Sequence, residues 1–121
     1  MNPKIDTVDM SNNGHQATVS GPINWDTDET SATFAAAIGE MQNGQLVFAA
    51  GQNARVFTRA NDLRWETEVS TLNGKKLVLG AAVGWATAAV LETAGSYECY
   101  PWEVTEGLNV TEGEVVVSAR Q

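Results

Sequence analysis

From Leu77 to Leu91 the chain carries fifteen residues without a charge, predominantly apolar or small. A run of this length is either a buried helix or one long strand. Gly80 and Gly84 interrupt a helix, and Asn73-Gly74 opens the run with a hairpin-turn signal. Leu77, Leu79, Ala81, Val83, Trp85, Ala89 and Leu91 fall on odd positions, whereas the even ones are mostly small: Gly80, Ala82, Gly84, Ala86 and Ala88. The pattern predicts a strand with a bulky inner face and a second, closely approached face. It returns through Ala94-Gly95-Ser96 into another strand over residues 97–105. The stretch 75–105 also holds two of the four tryptophans, both tyrosines and the single cysteine.

The rest of the chain supplies partners for this hairpin. Residues 1–16 are polar and turn-rich and read as an arm or edge strand, with a short alternation from Ile5 to Val8. Residues 17–121 read as a single domain. Ala17, Val19, Gly21, Ile23 and Trp25 alternate with polar neighbours, and Pro22 suits an edge or a bulge. Residues 31–38 read as a strand with Ala32, Phe34, Ala36 and Ile38 inward; an alanine-rich helix over 31–41 is the competing reading. A turn at Asn43-Gly44 leads to a short strand over 46–50, and residues 51–62 read as a loop with Val56-Phe57 as a possible short strand. Leu63, Trp65, Thr67, Val69 and Thr71 alternate cleanly with polar residues, and a last strand is expected within 107–121, including Val115-Val-Val117. Seven to nine strands spaced about ten residues apart describe an all-β sandwich or barrel.

Composition bounds the function. The 121 residues contain fifteen acids and seven bases, a net charge of −8. That balance argues against nucleic acid and against an anionic membrane surface, both of which need clustered cations. The bases concentrate in the middle of the chain (Arg55, Arg59, Arg64, Lys75, Lys76), and acids dominate its end (Glu103, Glu106, Glu112, Glu114). Head-to-tail docking of one copy's basic middle on another's acidic end is one reading, a solvated surface of uneven charge the other. Cys99 has no partner for an internal disulfide and reads as a buried, inert thiol. The first residues lack the apolar core of a signal peptide, so a cytoplasmic or virion location is expected.

Leu91-Glu-Thr-Ala-Gly95-Ser-Tyr97-Glu-Cys99 resembles the stretch of immunoglobulin domains that leads into strand F and carries the tyrosine corner. More loosely, Ala17-Thr-Val-x-Gly-x-Ile-x-Trp25, the acidic turn, Ser31-Ala-Thr, Trp65-x-x-x-Val69, the Gly/Ala/Thr-rich strand and Tyr100-Pro-Trp102 look like small immunoglobulin-like domains of bacteria and their phages. The resemblance implies an immunoglobulin-like antiparallel β-sandwich that serves as a structural, decorating or adhesive module.

A search for chemistry finds little. His15 is the only histidine and lies in the polar arm, so a His-based triad or a zinc site of ordinary composition lacks its parts. No cofactor is expected. Asp26, Asp28 and Glu29 offer oxygens on one turn, a weak candidate for calcium set against a solvated turn. Glu66 and Glu68 share one face of a strand and read as ordinary surface. Asn109-Val-Thr111 fits a glycosylation pattern that an unexported protein would not use. Trp25, Trp65 and Trp85 are expected in the core. Tyr100 and Trp102, on either side of Pro101, are either core or an exposed aromatic platform for a sugar or a protein. Together these readings describe a non-enzymatic module whose partner is protein, through self-association or within a larger assembly such as a phage particle. A carbohydrate- or cell-surface-binding sandwich is the alternative.

Overall fold

The computed structural model describes residues 1–112. Glu114 and Val115-Val-Val117 lie outside the described residues. Nine strands follow in order: β1 (Thr7–Ser11), β2 (Gln16–Pro22), β3 (Glu29–Gln42), β4 (Gln45–Gln52), β5 (Phe57–Thr58), β6 (Arg64–Thr71), β7 (Gly80–Glu92), β8 (Tyr97–Cys99) and β9 (Glu103–Glu112). The alternation in residues 31–41 therefore builds a strand and not a helix, and the strand is longer than expected. Both Asn-Gly pairs form tight turns in which Asn43, Gly44, Asn73 and Gly74 all have positive φ; Asn43-Gly44 closes the β3–β4 hairpin, whereas Asn73-Gly74, where a hairpin was expected, links β6 to β7, which do not pair.

The fold is all-β, but it closes into a barrel where an immunoglobulin-like sandwich was expected. The strand circuit runs β3-β4-β6-β2-β1-β9-β7 and returns to β3. Two seams make the closure. β3 pairs with β7 continuously from Ser31↔Leu91 to Gly39↔Val83, and β1 runs parallel to β9 from Val8↔Val110 to Met10↔Glu112. An open two-sheet sandwich would break this circuit. Here β3 and β7 are too long for one sheet, and each has hydrogen-bonded neighbours on both sides over most of its length.

Closure also decides which face of β7 looks inward. The small even residues Gly84, Ala86 and Ala88, with Val90, face the interior and are buried, while Trp85 faces outward and is half-buried. This reverses the expected orientation. A barrel of so few strands has a narrow lumen, filled by its own side chains, and small residues on one wall make room for large ones from another. The large ones are Trp65, stacked on Phe34 at 5.0 Å, and Phe57, edge-on to Phe34 at 5.4 Å. Trp65 is fully buried as expected, and Trp25 is partly buried against the core.

The N-terminal arm completes the wall. Met1, Pro3 and Ile5 are buried and alternate with exposed Asn2, Lys4 and Asp6, one residue out of phase with buried Val8 of β1. The Trp65 indole N–H donates to the Lys4 carbonyl, and the Asp6 N–H donates to the Ser20 carbonyl. At this end of the barrel the Met1 α-ammonium donates to Asp26 (2.7 Å), to Glu29 (3.3 Å) and to the Tyr100 hydroxyl (2.9 Å). At the opposite end, beside the two Asn-Gly turns, buried Glu40 accepts from the Val78 N–H and the Gln42 amide.

Candidate functional site

On the outer wall formed by β4, β3 and β7 the outward rows carry no charge, and the adjoining β8–β9 segment adds Cys99, Trp102 and Val104 together with exposed Glu98 and Glu106 at its border. Strand register arranges its outward residues in rows. Nearest the Asn-Gly turns, Leu46 lies opposite Met41. The next row is Phe48, Gly39 and Val83, and the one after is Ala50, Ala37, Trp85 and Val104. Beyond them come Gln52, Ala35 and Thr87, then Thr33, Ala89 and Cys99. Elsewhere the outer wall is charged: Glu66 and Glu68 on β6 are exposed, and Arg64 forms a two-pronged pair with Asp6.

Two halves of this face differ in texture. In the half near the turns, Phe48 and Trp85 touch, their ring centroids 5.8 Å apart, and both lie over Gly39. A Cβ on Gly39 would stand 3.1 Å from the Trp85 ring, so the absence of a side chain there seats the indole flat against the sheet. Met41, Leu46, Phe48 and Val104 remain exposed, Met41 to 66 %. In the other half the outward residues are small, and a cleft of about 420 Å³ opens between Gln52 and Asn53 on one side and Cys99, Tyr100 and Trp102 on the other.

Pro101 builds the far wall of that cleft. It has no N–H to give to β7, so the β8–β9 segment detaches and rejoins one residue out of step: β7 spends three residues from Ala89 to Ala86 where the partner spends four, from Cys99 to Glu103. Trp102 sits in this bulge and is 54 % exposed. Tyr100 is half-buried, so the expected pair of aromatics is divided. The Tyr100 hydroxyl donates to Glu29 at 2.7 Å, and burial, followed by that hydrogen bond, raises its pKa well above the ordinary phenol value.

The other residues singled out by sequence go to different places. Asp26 and Glu29 are occupied by the Met1 ammonium, and the Asp26 carboxyl is held below its usual pKa by that hydrogen bond. Asp28 instead stands beside Glu92, whose pKa it raises. Among the described residues no cluster of three or more histidines, cysteines or acids is placed to hold a metal ion. The bases do not gather. Arg55 pairs with Asp62, Arg59 donates to the Thr27 carbonyl, Arg64 pairs with Asp6, and Lys75 and Lys76 lie at the turn end. Glu103, Glu106 and Glu112 are strung along β9. Cys99 is exposed, against the expectation of a buried thiol, because β8 is a three-residue strand with every residue outward or uncovered.

The apolar outer residues Met41, Leu46, Phe48, Trp85 and Val104 escaped sequence reasoning, which assigns a bulky alternating face to the core. The available signal was the uniform smallness of the even positions in β7. No helix among the described residues is long and apolar enough to cross a membrane. No protein-family model, no curated protein and no solved structure matches the chain.

Proposed function

We propose that this protein is a non-enzymatic interaction module that assembles with further copies of itself through the apolar half of the uncharged face. One observation carries the reading: Met41, Leu46, Phe48, Val83, Trp85 and Val104 form a contiguous outward surface with no charge among them. Large contiguous apolar surface on a soluble domain marks a contact site. A second copy is the fitting occupant on grounds of charge. At −8, two copies repel over most of their surface, and the uncharged rows of β4, β3 and β7 are where they can meet with the fewest carboxylates, Glu106 lying at the border. Barrel closure also reduces the long free strand edges through which β proteins otherwise join; among the described residues the strands paired on one side alone are the short β5 and β8. Larger assemblies, of which a virus particle is one setting suggested by the resemblance to phage domains, are built from repeated contacts of this kind.

Sedimentation velocity over a wide concentration range tests the proposal. The wild-type chain is expected to associate reversibly, and Phe48→Glu or Leu46→Glu to weaken association about tenfold or more, since each buries a charge in the contact. Both side chains are partly exposed, so thermal stability should change little. A wild-type chain that stays monomeric throughout overturns the reading.

A further inference from the structure

We infer that the cleft beside Trp102 is a binding site for a neutral saccharide. This site is separate from the proposed copy contact, which occupies the other half of the face. Its volume, about 420 Å³, lies in the range of small-molecule sites, about 300–1,000 Å³. The floor is four outward residues on two paired strands, Thr33, Ala35, Thr87 and Ala89, which meet as Ala35↔Thr87 and Thr33↔Ala89. They are short, so nothing rises between the walls. One wall carries Gln52, the other Trp102.

The chemistry of the walls selects the ligand. A sugar ring presents an apolar C–H face and a rim of hydroxyls; the first packs on an aromatic plane and the second needs amide, hydroxyl or indole partners. Of the indoles whose N–H is engaged, Trp25 donates to the Asp62 carbonyl and Trp65 to the Lys4 carbonyl. Trp102 has no acceptor among the described residues, and neither the Gln52 amide nor the Thr33 hydroxyl is engaged there. No Lys, Arg, Asp or Glu lines the cleft. A charged ligand would find no counter-charge, and an anionic one would also face a protein of net charge −8. A wholly apolar ligand would leave the hydroxyl, amide and indole groups without partners, which costs affinity. A neutral sugar satisfies both kinds of surface.

Two readouts test this with the intact chain. The indole N–H resonances are followed while maltohexaose, cellohexaose, xylohexaose, laminarihexaose and chitohexaose are each added to about 10 mM, a range that detects even millimolar binding. At least one of the five should shift the Trp102 signal while leaving those of Trp25 and Trp65 in place, and Trp102→Ala should weaken that binding about tenfold or more. Cys99 lines the same cleft, so the bound saccharide should slow its alkylation by a bulky maleimide severalfold. If none of the five moves the Trp102 signal, or binding survives Trp102→Ala, or Cys99 reacts at an unchanged rate, the inference fails. A Trp102 signal that responds to protein concentration and not to sugar also overturns it, and assigns the cleft to the contact between copies.

Discussion

Gly21 shows how closely single residues are committed in this barrel. A Cβ at this position would stand 1.8 Å from the Lys4 carbonyl oxygen, the atom to which the Trp65 indole donates. Any side chain on Gly21 must therefore push out the arm or break the bond of the central tryptophan. Gly84 meets the arm differently: its Cβ would stand 2.6 Å from Ile5 Cδ1 and 2.8 Å from Leu108 Cδ1, side-chain tips that can turn aside. Gly21→Ala is expected to cost about 3 kcal/mol, the upper part of the range for overpacking, and Gly84→Ala about 1 kcal/mol. Urea unfolding measures both, and equal losses would mean that the arm is not seated on Gly21. Neither role was legible in sequence. Gly21 alternates like any inward residue of a strand, and the segment pressed against it lies in an arm that reads as polar. What was legible was Trp65, since a tryptophan in phase with Thr67 and Val69 on an otherwise polar strand has one apolar face to join.

At the scale of elements, period was easier to read than orientation. The alternation in β2, β3, β6 and β7 is visible residue by residue, and Asn43-Gly44 stands where the β3–β4 register needs it. Which face of β7 points inward is not a property of β7. It depends on the lumen that the other strands leave, and Trp65, Phe34 and Ile5 already occupy that lumen. With both faces free of charge, hydrophobicity alone could not choose between them. The same kind of error affected Cys99, which was expected to be covered because it lies on a strand. β8, however, pairs with β7 on one side only and ends at Cys99, two residues before Pro101. Cys99 is thus expected to react with a maleimide in the native protein within a few-fold of the rate in the unfolded chain. A thiol that reacts only on unfolding would mean that β8 packs more deeply or is covered by association, and repeating the reaction at low concentration separates the two.

For the whole molecule, closure and charge act together. Pairing of β3 with β7 turns a set of strands that reads as a sandwich into a barrel, and the partners responsible, from Ser31↔Leu91 to Gly39↔Val83, are far apart in sequence, beyond any local pattern. Closure then divides the outer surface into an acidic, ion-paired wall and an uncharged one. Part of the charge segregation seen along the chain is taken up within the barrel, where Arg55 and Arg64 pair with Asp62 and Asp6 and Arg59 donates to the Thr27 carbonyl. This changes the expected response of association to salt. Were copies held by bases docking on acids, added salt would screen the attraction and loosen them. In a contact between uncharged faces, the main electrostatic effect is repulsion between two bodies of charge −8, and screening relieves it. Raising sodium chloride from about 50 mM to about 500 mM shortens the Debye length from roughly 14 Å to roughly 4 Å, so repulsion beyond the contact itself is largely removed. Sedimentation at the two salt concentrations should therefore show tighter association at the higher one, and Phe48→Glu should abolish most of that gain. Association that weakens with salt would instead point to the paired charges, and Arg64→Glu, not Phe48→Glu, would then be the variant that dissociates the copies.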